Sequence, residues 1–393
     1  MFENLKTQPA DNIMALMGMF ANDKRENKID LGVGVYKDKL GNTPIVKAVK
    51  IAEQQLLNRQ KSKSYVGLLG SLAFVDQIIG LTLKDSISKS RVVGAQAPGG
   101  TGALHQLFLL IRAARPDSTV WVSKPTWPNH PAILKHLGLS MQSYRYFDET
   151  TCSVDFDAMR EDLKKAKEGD VILLHGCCHN PTGANLGLKE WEEITTFCLR
   201  KNITPLIDIA YQGFGDGIEE DVAGLQFMAS KIPNMMIAAS CSKNFGVYRD
   251  RVGAGIVIAE GSSLAKLAED NLKSLNRLTF SFPPDHGAAV VELILGDLNL
   301  KKIWCDELEK MRKGMRDLRV ALSQGLKHKT NSERFDFIAN HRGMFSRLGL
   351  SERDVQVLRE EFAIYMVSDS RINIAGLQPD KIDFLASAIS KTL

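Results

Sequence analysis

The feature that most constrains the fold is an alternation in the middle of the chain. Continuous apolar runs occupy residues 119–123, 171–174, 204–207, 235–239 and 252–259. Longer stretches separate them, helix-like at 188–201, and another helix-like stretch at 103–114 precedes the first. An unbroken apolar strand has to be covered on both faces, and strands joined through helices run parallel. The alternation predicts an α/β fold on a mostly parallel sheet flanked by helices. In such sheets the ligand sits beyond the carboxyl ends of the strands, so the polar residues that follow each run are the ones to weigh.

A chain of 393 residues exceeds one compact core, and two domains are expected. From about residue 307 the pattern becomes a long charged amphipathic helix. Strand-like segments follow at 335–339, 343–348 and 371–375, and a last helix closes the chain. Before residue 44 lies an isolated strand-like run, LGVGVY, which groups with that layer. The expected division is a large domain at 45–309 and a discontinuous α+β small domain made of 1–44 and 310–393.

Net charge is +4 with no block of like charges, which argues against nucleic-acid or polybasic membrane partners and suits small acidic substrates. The six cysteines show no framework spacing and read as reduced thiols of a cytoplasmic protein. No signal peptide is expected, and no apolar run approaches the roughly 20 residues needed to cross a bilayer.

Lys243 follows the apolar run 235–239 within Ser-Cys-Ser-Lys-Asn-Phe-Gly. A lysine at a protected strand end is placed to be desolvated, lose its proton and attack a carbonyl, whereas most lysines are solvated surface charges. Asp208 ends the run 204–207, with Tyr211 three residues on; it reads equally as a paired carboxylate or as a helix cap. PGGTGA at 98–103 opens a helix whose free N–H groups suit an anion, although a plain N-cap gives the same pattern. Asn180-Pro181-Thr182-Gly183 is a turn after the run 171–174. His175, Cys177, Cys178 and His179 are too crowded for a tetrahedral metal site, so no metal is expected, and His175 and His130 read as supporting or core histidines. Arg371 and Arg277 stand among apolar neighbours, where an arginine forks onto a carboxylate or phosphate, most often in a structural ion pair.

The segments VGVYKD, KSKSYVG, PGGTGAL, WPNHPAI, HGCCHNPTG, IDIAYQGF, SKNFGVYRDRVG, PPDHG, GMFS and SRINIAG occur in that order across the whole chain. Together they resemble the pyridoxal-phosphate-dependent aminotransferases of fold type I, within them the aspartate and aromatic-amino-acid group. The resemblance implies a seven-stranded-type sheet in a large cofactor-binding domain, and a homodimer with shared active sites. Lys243 then holds the cofactor as a Schiff base and shuttles the proton. Asp208 pairs with the pyridinium nitrogen, Tyr211 and Asn180 contact the 3-oxygen, and Trp127 stacks on the ring. Gly100, Thr101, Ser240 and Arg251 match the phosphate cradle, which Tyr65 reaches from the neighbouring subunit. His130 and His175 stand behind the aspartate. Arg371 forks onto the α-carboxylate, Arg277 with Ser281 binds a distal carboxylate from the other subunit, and Gly34 lies in the segment that closes over the substrate.

The implied reaction moves the amino group of L-aspartate to 2-oxoglutarate by a ping-pong route, giving oxaloacetate and L-glutamate. An aromatic-amino-acid aminotransferase with aspartate as minor substrate is the alternative. A non-catalytic cofactor-binding regulator has no need of Lys243, and lyase side activity on the same cofactor stays open. Phe282 stands where the aspartate enzymes carry a polar residue, and Arg347 where an aromatic one is usual. Both departures bear against strict aspartate preference; Phe282 favours aromatic side chains or alters packing at the subunit interface.

Overall fold

The structure is a computed structural model and describes residues 1–7 and 12–393. Seven strands form the central sheet: β1 (Val92–Pro98), β2 (Thr119–Lys124), β3 (Ser140–Arg145), β4 (Val171–His175), β5 (Thr204–Ile209), β6 (Met235–Ser240) and β7 (Val252–Ile258). Their order is β1-β7-β6-β5-β4-β2-β3. Only β7 runs against the rest, pairing antiparallel with β1 and β6. The mostly parallel, helix-flanked sheet expected from the sequence is therefore present.

Alternate residues of the central strands feed separate cores. Leu173, Leu206, Met236 and Ala238 pack into one cluster, and Ile172, Leu174, Ile207, Ile209, Ile237 and Ala239 into another. Both faces are apolar, which is why these strands read as continuous runs. Helices α1 (Gly99–Ala114), α2 (Asn129–His136), α3 (Leu188–Lys201) and α4 (Ser262–Thr279) pack around the sheet. Helix α1 begins at Gly99 rather than 103, so the glycine-rich turn is its own first turn.

Helix α5 (Leu298–Thr330) starts earlier than the charge pattern suggested, because Asp297 caps it by accepting from the backbone N–H groups of Asn299 and Leu300. Its Leu300, Trp304, Leu308 and Met315 join the large core, whereas Leu322 and Leu326 join a further cluster with Ile29, Leu31, Leu348, Ile364, Ile372 and Leu385. The boundary expected at 309/310 thus falls inside one continuous helix. Helices α6 (Glu352–Phe362) and α7 (Ile382–Thr392) complete that second core, with two small ladders: Ile29–Asp30 parallel to Ile364–Tyr365, and Phe345–Arg347 antiparallel to Arg371–Asn373.

Two strand expectations fail. Residues 335–339 are turns leading into a short helix, Phe337–Asn340, because Phe335 and Ile338 are buried at helical rather than alternating spacing. The run LGVGVY is a loop, not a strand. The Asn373 side chain donates to the carbonyls of Val33 and Val35 at 2.6 and 2.7 Å, taking the place of a ladder partner.

Candidate active site

Carboxyl ends of the parallel strands, the first turn of α1 and the N-terminal loop meet at a cavity of about 220 Å3. Gly34, Gly100, Thr101, Trp127, His175, Asn180, Asp208, Tyr211, Ser240, Lys243 and Arg251 all line it. The sheet register explains part of this convergence: His175 and Asp208 are direct partners on β4 and β5, and Ser240 closes β6.

Asp208 is buried, and its Oδ2 accepts from His130 Nε2 at 2.9 Å. His130, on α2, is fully enclosed. Its Nδ1 lies 2.8 Å from Thr126 Oγ1, and the same hydroxyl lies 3.3 Å from His175 Nε2. Burial alone would raise the Asp208 carboxyl. The bond from His130 and the field of His130, His175 and Lys243 outweigh it, and the group is held below the ordinary carboxylate range. Burial, with His130 nearby, depresses the His175 imidazole to about 3. The floor of the cavity therefore holds an anionic carboxylate, with the neutral imidazole of His175 on the neighbouring strand.

Lys243 stands 5.0 Å from the centre of the Tyr211 ring, measured from Nζ. Burial lowers its ammonium, Asp208 raises it and Arg251 lowers it, with a net downward shift toward a free amine. Burial pushes the Tyr211 phenol up. Asn180 Nδ2 donates to the Tyr211 hydroxyl at 3.5 Å, while Asn180 Oδ1 is buried with no partner among the described residues.

The other end of the cavity is an anion cradle. A Cβ at Gly100 would lie 2.9 Å from Ser240 Cβ, and one at Gly99, whose φ is +71°, would lie 2.5 Å from Arg251 Nη2. Only glycine allows this approach. Ser240 Oγ donates to Ser242 Oγ at 3.2 Å, and Arg251 Nη1 reaches Ser242 Oγ at 3.5 Å and the Tyr248 carbonyl at 3.0 Å. No carboxylate among the described residues pairs with Arg251. A guanidinium, hydroxyls and the N-terminus of a 16-residue helix converge without a counter-charge. That donor set fits a phosphate monoester. Asp208 suits a protonated ring nitrogen, and Trp127 offers a flat wall. The residues present fit pyridoxal phosphate.

Besides His130, enclosed behind Asp208, four expected residues do not line this cavity. Arg371 lies behind its wall: Nη2 donates to the Gly32 carbonyl at 2.9 Å, the guanidinium carbon is 4.6 Å from the Phe345 ring centre, and that ring meets Tyr211 edge-on at 6.0 Å. Burial lowers the Arg371 guanidinium, and among the described residues its Nε has no partner and no carboxylate is within ion-pair distance. Tyr65, Arg277 and Ser281 line a separate surface cleft with Phe282. Within one chain they are not brought to Lys243. Arg347 pairs with Glu149 and donates to the Asp369 carbonyl at 2.9 Å, outside the cavity.

Sequence reasoning assigned no site role to Thr126, Ser242, Tyr248 or Phe345, and weighed Cys177 only as a metal ligand. Ser242 and Tyr248 belong to the Lys243 string, and Thr126 lies one turn before His130, so both signals were legible. The donor atoms of Cys177 and Cys178 do meet Asp221 within 4.8 Å. Asp221, however, already accepts from the N–H groups of Gly213, Gly215 and Asp216. The Cys177 thiol is raised by its bond with Cys178 and by burial, and the Cys178 thiol by burial.

This architecture and site define an enzyme of the fold-type I aminotransferase class. The chain belongs to the family Aminotransferase class I and II, which it matches over residues 26–389. It is 52% identical to an aromatic-amino-acid aminotransferase of Paracoccus denitrificans over 389 residues, 99% of each chain. It is 42% identical to an aspartate aminotransferase of Haemophilus influenzae, covering 100% of both. Among solved structures, an aromatic-amino-acid aminotransferase from Burkholderia pseudomallei covalently bound to pyridoxal phosphate superposes with a TM-score of 0.98 at 37% identity, covering 100% of this chain and 99% of that one. Among the described residues no helix is long and apolar enough to cross a membrane.

Proposed function

We propose that this aminotransferase takes the amino group from aromatic amino acids, with aspartate as a second substrate, and passes it to 2-oxoglutarate by a ping-pong route. The observation that carries the aromatic preference is Phe282, whose ring lies beside Arg277 where a dicarboxylate-specific pocket calls for a polar side chain. The 52% identity to an aromatic-amino-acid aminotransferase, against 42% to an aspartate enzyme, supports the same order. Arg277 supports the aspartate reading, since a distal carboxylate needs a cation.

Pyridoxal phosphate, when bound, supplies an electron sink for the carbanion at the substrate α-carbon. Gly100, Thr101, Ser240, Ser242 and Arg251 would hold its phosphate, Tyr211 and Asn180 its ring oxygen, and Trp127 its face. Asp208, kept anionic by His130 and Thr126 with His175 behind, would keep the ring nitrogen protonated. Lys243 is the attachment point, and its depressed ammonium lets the free amine carry the α-proton. Arg371 takes the α-carboxylate, and Gly34 lies in the loop that covers the substrate and excludes water.

Tyr65, Arg277 and Ser281 act in a second copy of the chain, which makes the working unit a homodimer with shared sites. The large cofactor-binding domain at 45–309, the small domain at 1–44 and 310–393, and a cytoplasmic location complete the proposal. Measuring kcat/KM for phenylalanine and for aspartate, each with 2-oxoglutarate, tests it. A ratio strongly favouring aspartate would return the reading to an aspartate aminotransferase.

A further inference from the structure

The end of the sheet opposite the candidate active site carries a groove of about 440 Å3. Its floor is made by strand ends: Val171 of β4, Thr204 of β5, Met235 of β6 and Ile258 of β7. Val171 faces Thr204 in register, and Met235 faces Ile258. The four strands are consecutive in the sheet, so the groove crosses three interstrand spacings, roughly 14 Å. Its walls are the last turn of α1 and the first turns of α4. Leu264 and Leu267, one turn apart on α4, line it and are still 48% and 59% exposed, an apolar surface without cover. The polar groups around them are engaged already. Asn271 Nδ2 donates to the Leu267 carbonyl at 2.8 Å, Asn234 Oδ1 accepts from Glu260 N at 3.1 Å, and Ser118 Oγ donates to the Gly169 carbonyl at 2.8 Å.

Arg115, directly after α1, stands at one end of the groove. Its guanidinium lies over Gly169, which has a φ of +83°; a Cβ there would collide with Arg115 Nη1. Only glycine leaves the cation this place. Among the described residues no side-chain hydrogen bond or ion pair engages Arg115. The adjacent carboxylate, Asp170, is spent inward on the N–H groups of Thr119 and Lys167 and on the Trp121 indole. The carbonyl end of α1 carries about half a negative charge, which the full charge of Arg115 outweighs. An apolar trough with one free guanidinium at its end suits a ligand with an apolar tail and a singly charged, forked anion as its head. A phosphate needs more donors, such as the hydroxyls and helix terminus that accompany Arg251.

We propose that this groove is a binding site for a free medium-chain fatty carboxylate, with the carboxylate on Arg115 and the alkyl chain laid across the ends of β4 to β7. With single bonds of about 1.5 Å, an extended chain of about ten carbons has the reach of the groove. No aromatic side chain is among the described residues that line it, so an alkyl tail is matched better than a ring. The tail covers Leu264 and Leu267, and the head gives Arg115 the counter-charge it lacks. The site is independent of the catalytic cavity, from which the length of the strands separates it.

Met235 and Met236 both line the groove and report on it. Methyl NMR of methionine-labelled, cofactor-loaded enzyme reads them, with maleate saturating the catalytic cavity and decanoate added below its micelle concentration. Substitution of each methionine by Leu assigns its signal. Both signals should shift saturably with decanoate. Arg115→Gln should weaken decanoate by about 3- to 10-fold, the range of a partly exposed charge-assisted contact, and should not weaken decyltrimethylammonium, which has the same tail and the opposite charge. Ala268→Phe, which fills the groove, should abolish binding of both. Methionine signals that stay still, or an Arg115→Gln enzyme that binds decanoate as tightly as wild type, overturn the proposal. A change of oligomeric state in Leu267→Glu, measured by analytical ultracentrifugation, overturns it too, because a second copy of the chain is then what covers the groove.

Discussion

Asp208 and His130 are joined by a 2.9 Å hydrogen bond from Nε2 to Oδ2, inside a protein interior that would otherwise favour a neutral carboxyl. A buried acid kept ionised in this way is an electrostatic device: its charge is fixed before any ligand arrives. Replacing Asp208 with Asn removes the charge and keeps the shape. The expected outcome is a fall in kcat of about 10²- to 10³-fold with the cofactor still bound, checked by steady-state kinetics beside the visible absorption spectrum. Retention of near wild-type kcat would remove Asp208 from the mechanism.

His175 gives a pH prediction for stability. Its imidazole titrates at about 3 in the fold, against about 6.5 when unfolded. Between those values the unfolded chain binds more protons, so stability falls as pH drops. From pH 7 to pH 5 this residue should account for about 2 kcal/mol of lost stability. Denaturant unfolding at the two pH values, in wild type and in His175→Asn, isolates that share. An equal loss in both proteins contradicts it.

Arg251 and Gly100 form opposite sides of the anion cradle. Arg251→Gln should weaken pyridoxal phosphate binding by about 10- to 100-fold, the value of a charge-assisted hydrogen bond. Gly100→Ala should do the same by bulk, since its Cβ meets Ser240 at 2.9 Å. Titration of the apoenzyme, followed by absorbance, measures both; pyridoxal lacking the phosphate should bind the variants and wild type alike.

The two arginines should separate by substrate. Arg371→Ala removes the proposed α-carboxylate fork and should lower kcat/KM roughly 100-fold for every amino acid. Arg277→Ala should cost a similar factor for aspartate and less than about 3-fold for phenylalanine. Equal losses for both substrates in Arg277→Ala would deny it the distal-carboxylate role.

Arg319 holds the strand that carries Phe345. It is buried on α5 and donates to the carbonyls of Ile338, Arg342, Gly343 and Phe345 and to Ser346 Oγ at 2.7–3.3 Å. Arg319→Met would strand those acceptors and should destabilise the protein by about 3 kcal/mol, measured by urea unfolding. Because Phe345 lies between Arg371 and Tyr211, the variant should also raise KM.

The legible part of the fold was the part buried on both sides. β4, β5, β6 and β7 stand out because neither face tolerates polarity. β3 was invisible: it is an edge strand, exposed at five of its six positions, and Ser140, Gln142 and Ser143 break any apolar run. β1 was obscured by Gly94 and Gln96, and Gln96 is polar because it anchors the loops at Leu69 and Pro284. In the site, residues following strand ends could be read from position. Position hints at Thr126, one turn before His130, but its bridge to His175 could not be read, because His175 comes from a different element, β4. The removal of Arg277 and Tyr65 to another surface was likewise unreadable from spacing, and only the resemblance pointed to it.

Helix α5 crosses from one apolar core to the other without a break. Its N-terminal half is covered by the large core, beside the helices at Lys47–Arg59 and His286–Gly296, and its C-terminal half by the core around Leu322 and Leu326. Melting either core strips half of the same rod of its cover, and a helix so exposed unravels toward the other half. The two cores are therefore thermodynamically yoked: they should be lost in one cooperative transition, not in sequence, despite the size of the chain.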